Sequence, residues 1–292
     1  MTNRIIIDKL EFYITNVCNL TCSECNRYNN YKFSGWQNYD DYAKIIQQWS
    51  EKIDIIKPSI LGGEPLLNPS INKWVVGIRD AWPDRFRPEI VTNGTRIDIV
   101  DGLYDLCLQK KTWLGVSIHR DDDKETIFNR IRNFLSHPIK EGIDIYPAVK
   151  CDYQFIDVNN VFVYVWLTTN FLQSNIITRL DGTQTLYNSE PIAAHSACSF
   201  AIHKNYHFIN GKIYKCGPVA LMPEFDSQYP FDIGDEDRAL LHSGRGLSID
   251  EFDEYGETFF ANIDNPIPQC KFCPESQSWK KIEFTDLKFN KI

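Results

Sequence analysis

The stretch Cys18-Asn19-Leu20-Thr21-Cys22-Ser23-Glu24-Cys25 determines how the rest of this 292-residue chain is interpreted. Its three thiols follow the spacing C-x3-C-x2-C, and the apolar run at residues 10–14 before them predicts a buried strand. Three thiolates at a strand exit can bind one face of a metal centre, whereas a tetrahedral zinc site needs four ligands. An iron–sulfur cluster with one open iron fits the count better than zinc does.

Further along the chain, short apolar strands alternate with helical patterns. Helices are predicted at residues 38–53, 69–82, 98–107 and 121–135, and strands at 58–61, 88–92, 112–118, 143–149 and 176–180. Residues 161–172 fit either a strand or a helix. This alternation predicts right-handed βαβ units around a parallel sheet, and six such units are two short of a closed eight-fold barrel.

Polar and glycine-rich motifs follow the predicted strands at their carboxyl ends. They are Gly62-Gly63-Glu64-Pro65, Asn93-Gly94 and Ser117-Ile118-His119. Active sites of parallel α/β sheets lie at that edge, so we expect these motifs and the three cysteines to share one rim.

A different pattern begins near residue 189. Residues 208–214 predict a β-hairpin with Asn210-Gly211 at its turn. Residues 223–264 are acidic and rich in glycine, proline and aspartate, which predicts loops with one short helix at 248–252. We therefore expect two domains, residues 1–188 and 189–292. The second contains Cys198, Cys216, Cys270 and Cys273, whose local spacing alone favours a structural zinc site.

Composition limits the class of protein. Hydrophobic content of 43% and aromatic content of 13% predict a packed core, and the net charge of −8 makes a nucleic-acid partner unfavourable. No apolar run approaches the roughly 20 residues that span a membrane. Nine cysteines without a signal peptide indicate metal ligands or reduced thiols, and hence a cytoplasmic protein.

The first cysteine motif, together with Gly62-Gly63-Glu64-Pro65, resembles the radical S-adenosylmethionine (radical SAM) enzymes. The resemblance implies a partial (β/α)6 barrel in which Cys18, Cys22 and Cys25 hold a 4Fe–4S cluster. It also implies that the S-adenosylmethionine cofactor is contacted by Gly62, Gly63, Glu64, Asn93 and Ser117. One position departs from the family pattern, because Glu24 stands where the family usually has an aromatic residue near the adenine.

The second cysteine set resembles the twitch subdomain, the short relative of the SPASM domain. The resemblance implies that Cys198, Cys216, Cys270 and Cys273 hold an auxiliary 4Fe–4S cluster, with zinc as the alternative. A β-hairpin with loops and a helix would complete this small C-terminal subdomain.

The resemblance implies reductive cleavage of S-adenosylmethionine to a 5′-deoxyadenosyl radical, which abstracts a hydrogen atom from a small-molecule or peptide substrate. The auxiliary cluster would then oxidise the substrate radical, and a flavodoxin or ferredoxin would supply the reducing electron. The alternatives are a redox-neutral epimerase or isomerase with Cys151 as hydrogen donor, a peptide- or nucleotide-modifying enzyme, and a non-catalytic zinc protein. His119 fits either a substrate contact or a structural role. Cys107 is predicted to be a buried residue of the core.

Overall fold

The structure is a computed structural model that describes residues 4–31, 33–135, 138–143 and 149–284. The strand predicted at residues 143–149 falls mostly outside these ranges.

Strands are distributed along the whole described chain. They are β1 Ile5–Tyr13, β2 Ile53–Leu61, β3 Glu89–Thr92, β4 Trp113–Ile118, β5 Lys140–Gly142, β6 Tyr153–Ile156, β7 Phe162–Leu167, β8 Asn170–Leu172, β9 Ile176–Thr178, β10 Gln184–Leu186, β11 Asn205–Ile209, β12 Lys212–Tyr214 and β13 Trp279–Lys281.

Helices lie between these strands. They are α1 Tyr39–Lys52, α2 Ile71–Ala81, α3 Leu103–Leu108, α4 Lys124–Phe134, α5 Pro191–Ser196, α6 Ser199–Ile202, α7 Gly217–Gln228, α8 Asp235–His242 and α9 Phe252–Ala261. Among the described residues, no helix has both the length and the apolar character needed to cross a membrane.

One large sheet organises the described part of the chain. Its nine strands lie in the order β12-β11-β1-β2-β3-β4-β7-β6-β5. The six strands β11, β1, β2, β3, β4 and β7 are parallel to their neighbours in that series, whereas β12, β6 and β5 pair antiparallel. The prediction of an α/β fold with a largely parallel sheet is confirmed, and the arrangement is consistent with a partial barrel.

The regular alternation ends after α4. Residues 161–172, which the sequence left open, form β7 and β8. The prediction of a sixth barrel strand at 176–180 was wrong, because β9 pairs with β10 in a separate two-stranded sheet. The sixth parallel strand is β11, from much later in the chain, and it lies beside β1 with Leu10 opposite Tyr206.

The predicted hairpin is confirmed as β11 and β12. Its turn residues Asn210 and Gly211 have φ values of 50° and 80°, the left-handed region that this dipeptide favours. The hairpin extends the large sheet, so the boundary predicted between residues 188 and 189 does not separate two sheets. That boundary stays a prediction.

The prediction of mostly loops at residues 223–264 was wrong, because α7, α8 and α9 occupy much of this region. Helix α7 buries most of its surface in a cluster of aromatic and aliphatic side chains, where Phe225 stacks on Phe231 at 4.9 Å between ring centroids. Tertiary packing of this kind outweighs a composition rich in acidic and turn-forming residues.

The main core lies between the large sheet and its helices. Its largest side chains include Trp49 on α1 and Trp74 on α2, both almost completely buried. Apolar residues at helical spacing face the sheet on both helices, as predicted. Burial of the sheet's outer face fixes the strands, and this in turn fixes the loops at their carboxyl ends.

Candidate active site at the ends of the parallel strands

A cavity of about 380 Å³ opens at the carboxyl ends of β2, β3 and β4. That volume is within the range of small-molecule sites. Most of the side chains predicted at the rim line it together, namely Cys18, Cys22, Cys25, Gly62, Gly63, Asn93, Ser117 and His119. Two predicted site residues, Glu64 and Cys151, are not among its lining residues.

The cysteine loop follows β1 and is held from both sides. The backbone N–H of Ser23 donates to the Glu283 carbonyl at 2.8 Å, and Cys22 pairs with Phe284 in an isolated antiparallel bridge. Glu24 adopts a φ of 59°, and its carboxylate accepts a hydrogen bond from the backbone N–H of Ser174 at 2.5 Å. The residue that departs from the family pattern thus connects the loop to the segment after β8.

The thiols of this loop lie near one another in a buried setting. The pKa of Cys18 is raised to about 12, mainly by burial, with smaller contributions from Glu64 and Cys25. Burial also raises the pKa of Cys22, with added contributions from Cys25 and Cys18. Cys18 and Cys22 are therefore protonated at neutral pH unless a metal centre binds them, and binding releases these protons.

The thiols are not gathered as they would be around a single ion. Within the described ranges, no three His, Cys, Asp or Glu side chains are arranged to hold one metal ion. Three cysteines around one cavity fit the donor set of a cluster.

The Gly62-Gly63 turn lies directly against the chain that leads into the cysteine loop. The N–H of Gly63 donates to the Thr15 carbonyl, and that of Glu64 donates to the Val17 carbonyl, both at 2.8 Å. A Cβ on Gly62 would lie 2.6 Å from the Thr15 oxygen, and one on Gly63 would lie 2.2 Å from the Val17 oxygen. Both positions therefore require glycine.

The Glu64 carboxylate is fully buried and fastens this turn to β3. It accepts hydrogen bonds from the Thr92 hydroxyl at 2.7 Å, the Asn93 N–H at 2.8 Å and the Leu66 N–H at 3.0 Å. Burial raises its pKa, and the three donors oppose that shift. Glu64 thus positions the cavity wall, and its direct contact with a cofactor stays a prediction.

Asn93 lines the cavity and is held by its neighbours. Its side-chain N–H donates to the Asn19 amide oxygen at 2.9 Å, and its own oxygen accepts from the Thr95 hydroxyl at 2.6 Å. Asn19 belongs to the cysteine loop, so this bond joins the loop to the end of β3. The side chain is 7% exposed and is oriented before any ligand binds.

Ser117 and His119 lie at the end of β4, where both line the cavity. The His119 ring nitrogen Nδ1 lies 3.2 Å from the Thr168 carbonyl, and its ring packs edge-on against Phe171 at 5.0 Å. Burial lowers the pKa of His119. A neutral ring that donates from Nδ1 to this carbonyl leaves Nε2 as an acceptor.

The second cysteine set comes from three separate segments. Cys198 precedes α6, Cys216 precedes α7, and Cys270 and Cys273 lie at a 3₁₀ turn. Burial is the main cause that raises the pKa of Cys273 to about 12, and Cys198 and Cys270 contribute to that shift. The pKa of Cys216 is raised by burial and by the other three thiols. These contributions indicate that the four thiols lie in one neighbourhood of the fold.

The two remaining cysteines differ in setting. Cys107 is buried in the main core on α3, as predicted. Cys151 lies just before β6, and its thiol donates to the Tyr153 carbonyl at 3.3 Å.

Two residues that the sequence did not single out connect the cysteine sites. Tyr28 and Asn175 are both buried, and the Tyr28 hydroxyl donates to the Asn175 amide oxygen at 3.1 Å. The Asn175 amide N–H donates to the Cys273 sulfur at 3.2 Å. No motif marks either residue, and only the fold brings them together.

A buried charged cluster, also missed from the sequence, lies beside the cavity. Glu11 on β1 accepts from Arg27 at 2.5 Å and from Asn205 at 2.7 Å, and it contacts His207 at 2.8 Å. Arg27 lines the cavity and lies over the Phe200 ring. The pKa of Glu11 is held well below its usual range: burial opposes this shift, and His207 and Arg27 outweigh burial. The signal available in the sequence was the alternation of side chains along a strand, in which every second residue faces the same side of the sheet.

Comparison with known proteins finds a family similarity for part of the chain. Residues 12–151 match the Radical SAM superfamily model. The chain is 27% identical over 146 residues to the probable GTP 3′,8-cyclase of Methanocaldococcus jannaschii, a match covering 48% of this chain and 46% of that protein. The chain thus aligns with about half the length of this curated relative.

Solved structures show weaker similarity. BtrN in complex with AdoMet and 2-DOIA matches with a TM-score of 0.45 and 16% identity, over 92% of this chain and 85% of that one. Streptococcus suis SuiB bound to S-adenosylmethionine matches with a TM-score of 0.34 and 20% identity, over 41% of this chain and 27% of that one. The family match and the cysteine motif agree on the same region. Residues 12–151 are therefore similar to the Radical SAM superfamily.

Proposed function

We propose that the protein is a radical SAM enzyme that oxidises its substrate with the help of an auxiliary 4Fe–4S cluster. One observation supports this most directly. The Cys18, Cys22 and Cys25 thiols lie on one cavity wall, and the backbone of Gly62-Gly63 with the side chains of Asn93 and Ser117 lies around the same space. A metal site and a polar ligand site would thus share one enclosure.

The residues present fit the cofactors that the family implies. Cys18, Cys22 and Cys25 would hold a 4Fe–4S cluster, and Gly62, Gly63, Asn93 and Ser117 would contact S-adenosylmethionine. Together these cofactors supply a 5′-deoxyadenosyl radical, which takes a hydrogen atom from the substrate. The protein's own contribution is to orient Asn93 through Asn19 and Glu64, and to keep the cavity wall rigid.

The second cysteine set accounts for the oxidation. Cys198, Cys216, Cys270 and Cys273 would hold the auxiliary cluster in a twitch-type region that begins near residue 189. That cluster would supply an electron acceptor near the substrate. Loss of a hydrogen atom, an electron and a proton from the substrate would then amount to a two-electron oxidation, with an external acceptor protein as the final electron acceptor. A flavodoxin or ferredoxin in the cytoplasm is the proposed source of the reducing electron, and the substrate is a small molecule or a peptide.

Iron and sulfide analysis of anaerobically reconstituted protein tests both cluster sites. We expect about eight irons per chain from two four-iron clusters, and about four when Cys270 and Cys273 are both replaced by alanine. Cys107→Ala is the matched control, because its thiol is buried in the core and should leave the iron content unchanged. Zinc in place of iron would contradict the proposal.

Hydrogen counting by mass spectrometry tests the reaction type once a substrate is found. Candidate compounds are screened for those that increase deoxyadenosine formation. The proposal predicts one deoxyadenosine per product and a product lacking two hydrogens. A product that keeps all its hydrogens and takes up deuterium from solvent would indicate a redox-neutral reaction instead. The structure does not favour that alternative, since Cys151 is not a lining residue of the cavity.

A further inference from the structure

A short segment after β8 contacts both cysteine sites. The backbone N–H of Ser174 donates to Glu24, which lies between the second and third cysteines of the first loop. The next residue, Asn175, accepts from Tyr28, which lies three positions after Cys25, and donates to Cys273 of the second set. The segment thus forms hydrogen bonds to both ligand-bearing regions.

The Asn175 amide is held in one orientation. Its side chain is 5% exposed and that of Tyr28 is 1% exposed, so water does not replace these partners. The Tyr28 hydroxyl donates to the amide oxygen, which leaves the amide N–H directed at the Cys273 sulfur, 3.2 Å away. A metal-bound thiolate reinforces this orientation, because an amide oxygen facing the sulfur would be repelled.

We infer that Asn175 is a positioning residue that raises the reduction potential of the cluster held by Cys198, Cys216, Cys270 and Cys273. This inference rests on the proposed function, which assigns a cluster to those thiols. Reduction adds negative charge to a cluster and its thiolates. An N–H donor aimed at one sulfur stabilises the reduced form more than the oxidised form, so it raises the potential.

The effect suits the proposed reaction. A cluster that accepts an electron from a substrate radical does so more readily when its reduced form is stabilised. Asn175 provides that stabilisation without a charge, in a place where water is excluded. Tyr28 acts one bond further away, by fixing which end of the amide faces the sulfur.

The experiment is a redox titration followed by electron paramagnetic resonance. It uses the full chain with Cys18, Cys22 and Cys25 replaced by alanine, so that only the second cluster contributes a signal. Asn175→Leu, which keeps the side-chain size but has no donor, is expected to shift the midpoint potential to a lower value. Asn175→Ala is expected to shift it in the same direction, and Tyr28→Phe to shift it less.

Gln173→Leu is the matched control. It removes an amide from the same segment, but that amide donates to the Tyr187 hydroxyl and not to a thiol. The midpoint potential of the second cluster in this control should equal that of the parent protein, in which only Cys18, Cys22 and Cys25 are replaced.

The outcomes separate the inference from the proposed function. A parent protein that holds no iron at the second set would overturn the proposed function, and this inference with it. A parent with the cluster, together with Asn175 variants whose potential equals that of Gln173→Leu, would overturn this inference alone. If both Asn175 variants lose the cluster, Tyr28→Phe decides, and an unshifted potential in that variant would overturn the inference.

Discussion

Two buried glutamates, Glu64 and Glu89, differ in the hydrogen-bond donors around their carboxyl groups, and this difference determines their roles. Burial raises the pKa of both. Glu64 has three donors around its oxygens, whereas Glu89 lies against Gly115, with one carboxyl oxygen 2.5 Å from where a Gly115 Cβ would be. Glu64 therefore serves as an acceptor that holds the cavity wall together, whereas Glu89 has no comparable set of donors within the part of the chain that the structure describes.

Glu64→Gln should destabilise the protein. All three of its partners donate, since the Thr92 hydroxyl already accepts from Gly94, so a glutamine N–H₂ would face a donor. The expected loss is about 2 kcal/mol in the free energy of unfolding, measured by urea denaturation. Glu257→Gln, on the exposed face of α9, is the control. Equal stability of Glu64→Gln and wild type would contradict the role assigned to Glu64.

Glu89 should make stability depend on pH. Burial raises its pKa from 4.5 to about 7, and Lys9 lowers it only in part. A raised carboxyl pKa stabilises the folded state below pH 4.5, and this contribution is lost as the pH rises towards 7. Between pH 5 and pH 8, the free energy of unfolding of Glu89→Gln should rise by up to about 3 kcal/mol relative to that of wild type, as measured by urea denaturation. Glu257→Gln, on the exposed face of α9, should show no such rise in its free energy of unfolding relative to wild type. A constant difference between Glu89→Gln and wild type would refute this expectation.

At the scale of elements, the rim is built by backbone contact between two loops. The Gly62-Gly63 turn pairs with residues 15–17, and this places the turn against the entrance to the cysteine loop. Side chains play little part in that contact. A motif that the sequence indicates for cofactor binding therefore also has a packing function.

Gly63→Ala should disrupt this contact. Its Cβ would lie 2.2 Å from the Val17 carbonyl oxygen, so the backbone before Cys18 must shift. We expect a loss of about 3 kcal/mol in the free energy of unfolding, together with reduced iron at the first site. Gly234→Ala is the control, because no atom lies within 4 Å of its added Cβ. Both variants behaving alike would show that the close approach is unimportant.

Local sequence predicted the early elements well and the late ones poorly. The first four strands and helices have clear periodicity, and their motifs fall on the cavity as expected. Helix α7 was missed because it is buried on several sides and contains Pro223, so it lacks an amphipathic pattern. Strand β9 was assigned to the wrong sheet because three residues of apolar sequence do not specify a partner.

At the scale of the whole molecule, both halves of the sequence build one sheet. β11 pairs with β1 across almost 200 residues, and β12 follows it. Such long-range pairing leaves no local signal, which is why the sequence suggested a hairpin in a separate subdomain. The same pairing brings His207 and Asn205 next to Glu11 on β1, close to the wall of the cavity.

The two cysteine sites are also connected only in the folded molecule. Tyr28 follows the first set, Cys273 belongs to the second, and Asn175 lies between them. The cysteine spacing predicted each site separately. It could not show that the buried Asn175 side chain bonds to a cysteine of the second set and also to Tyr28, which follows the first set.

The central claim is that Cys18, Cys22 and Cys25 hold a cluster that cleaves S-adenosylmethionine. The most direct measurement is 5′-deoxyadenosine formed by anaerobically reconstituted, dithionite-reduced protein, quantified by mass spectrometry. We predict deoxyadenosine from wild type and from Cys107→Ala, and none when the three cysteines are replaced by alanine. Equal amounts from the triple variant, or none from iron-loaded wild type, would contradict the account.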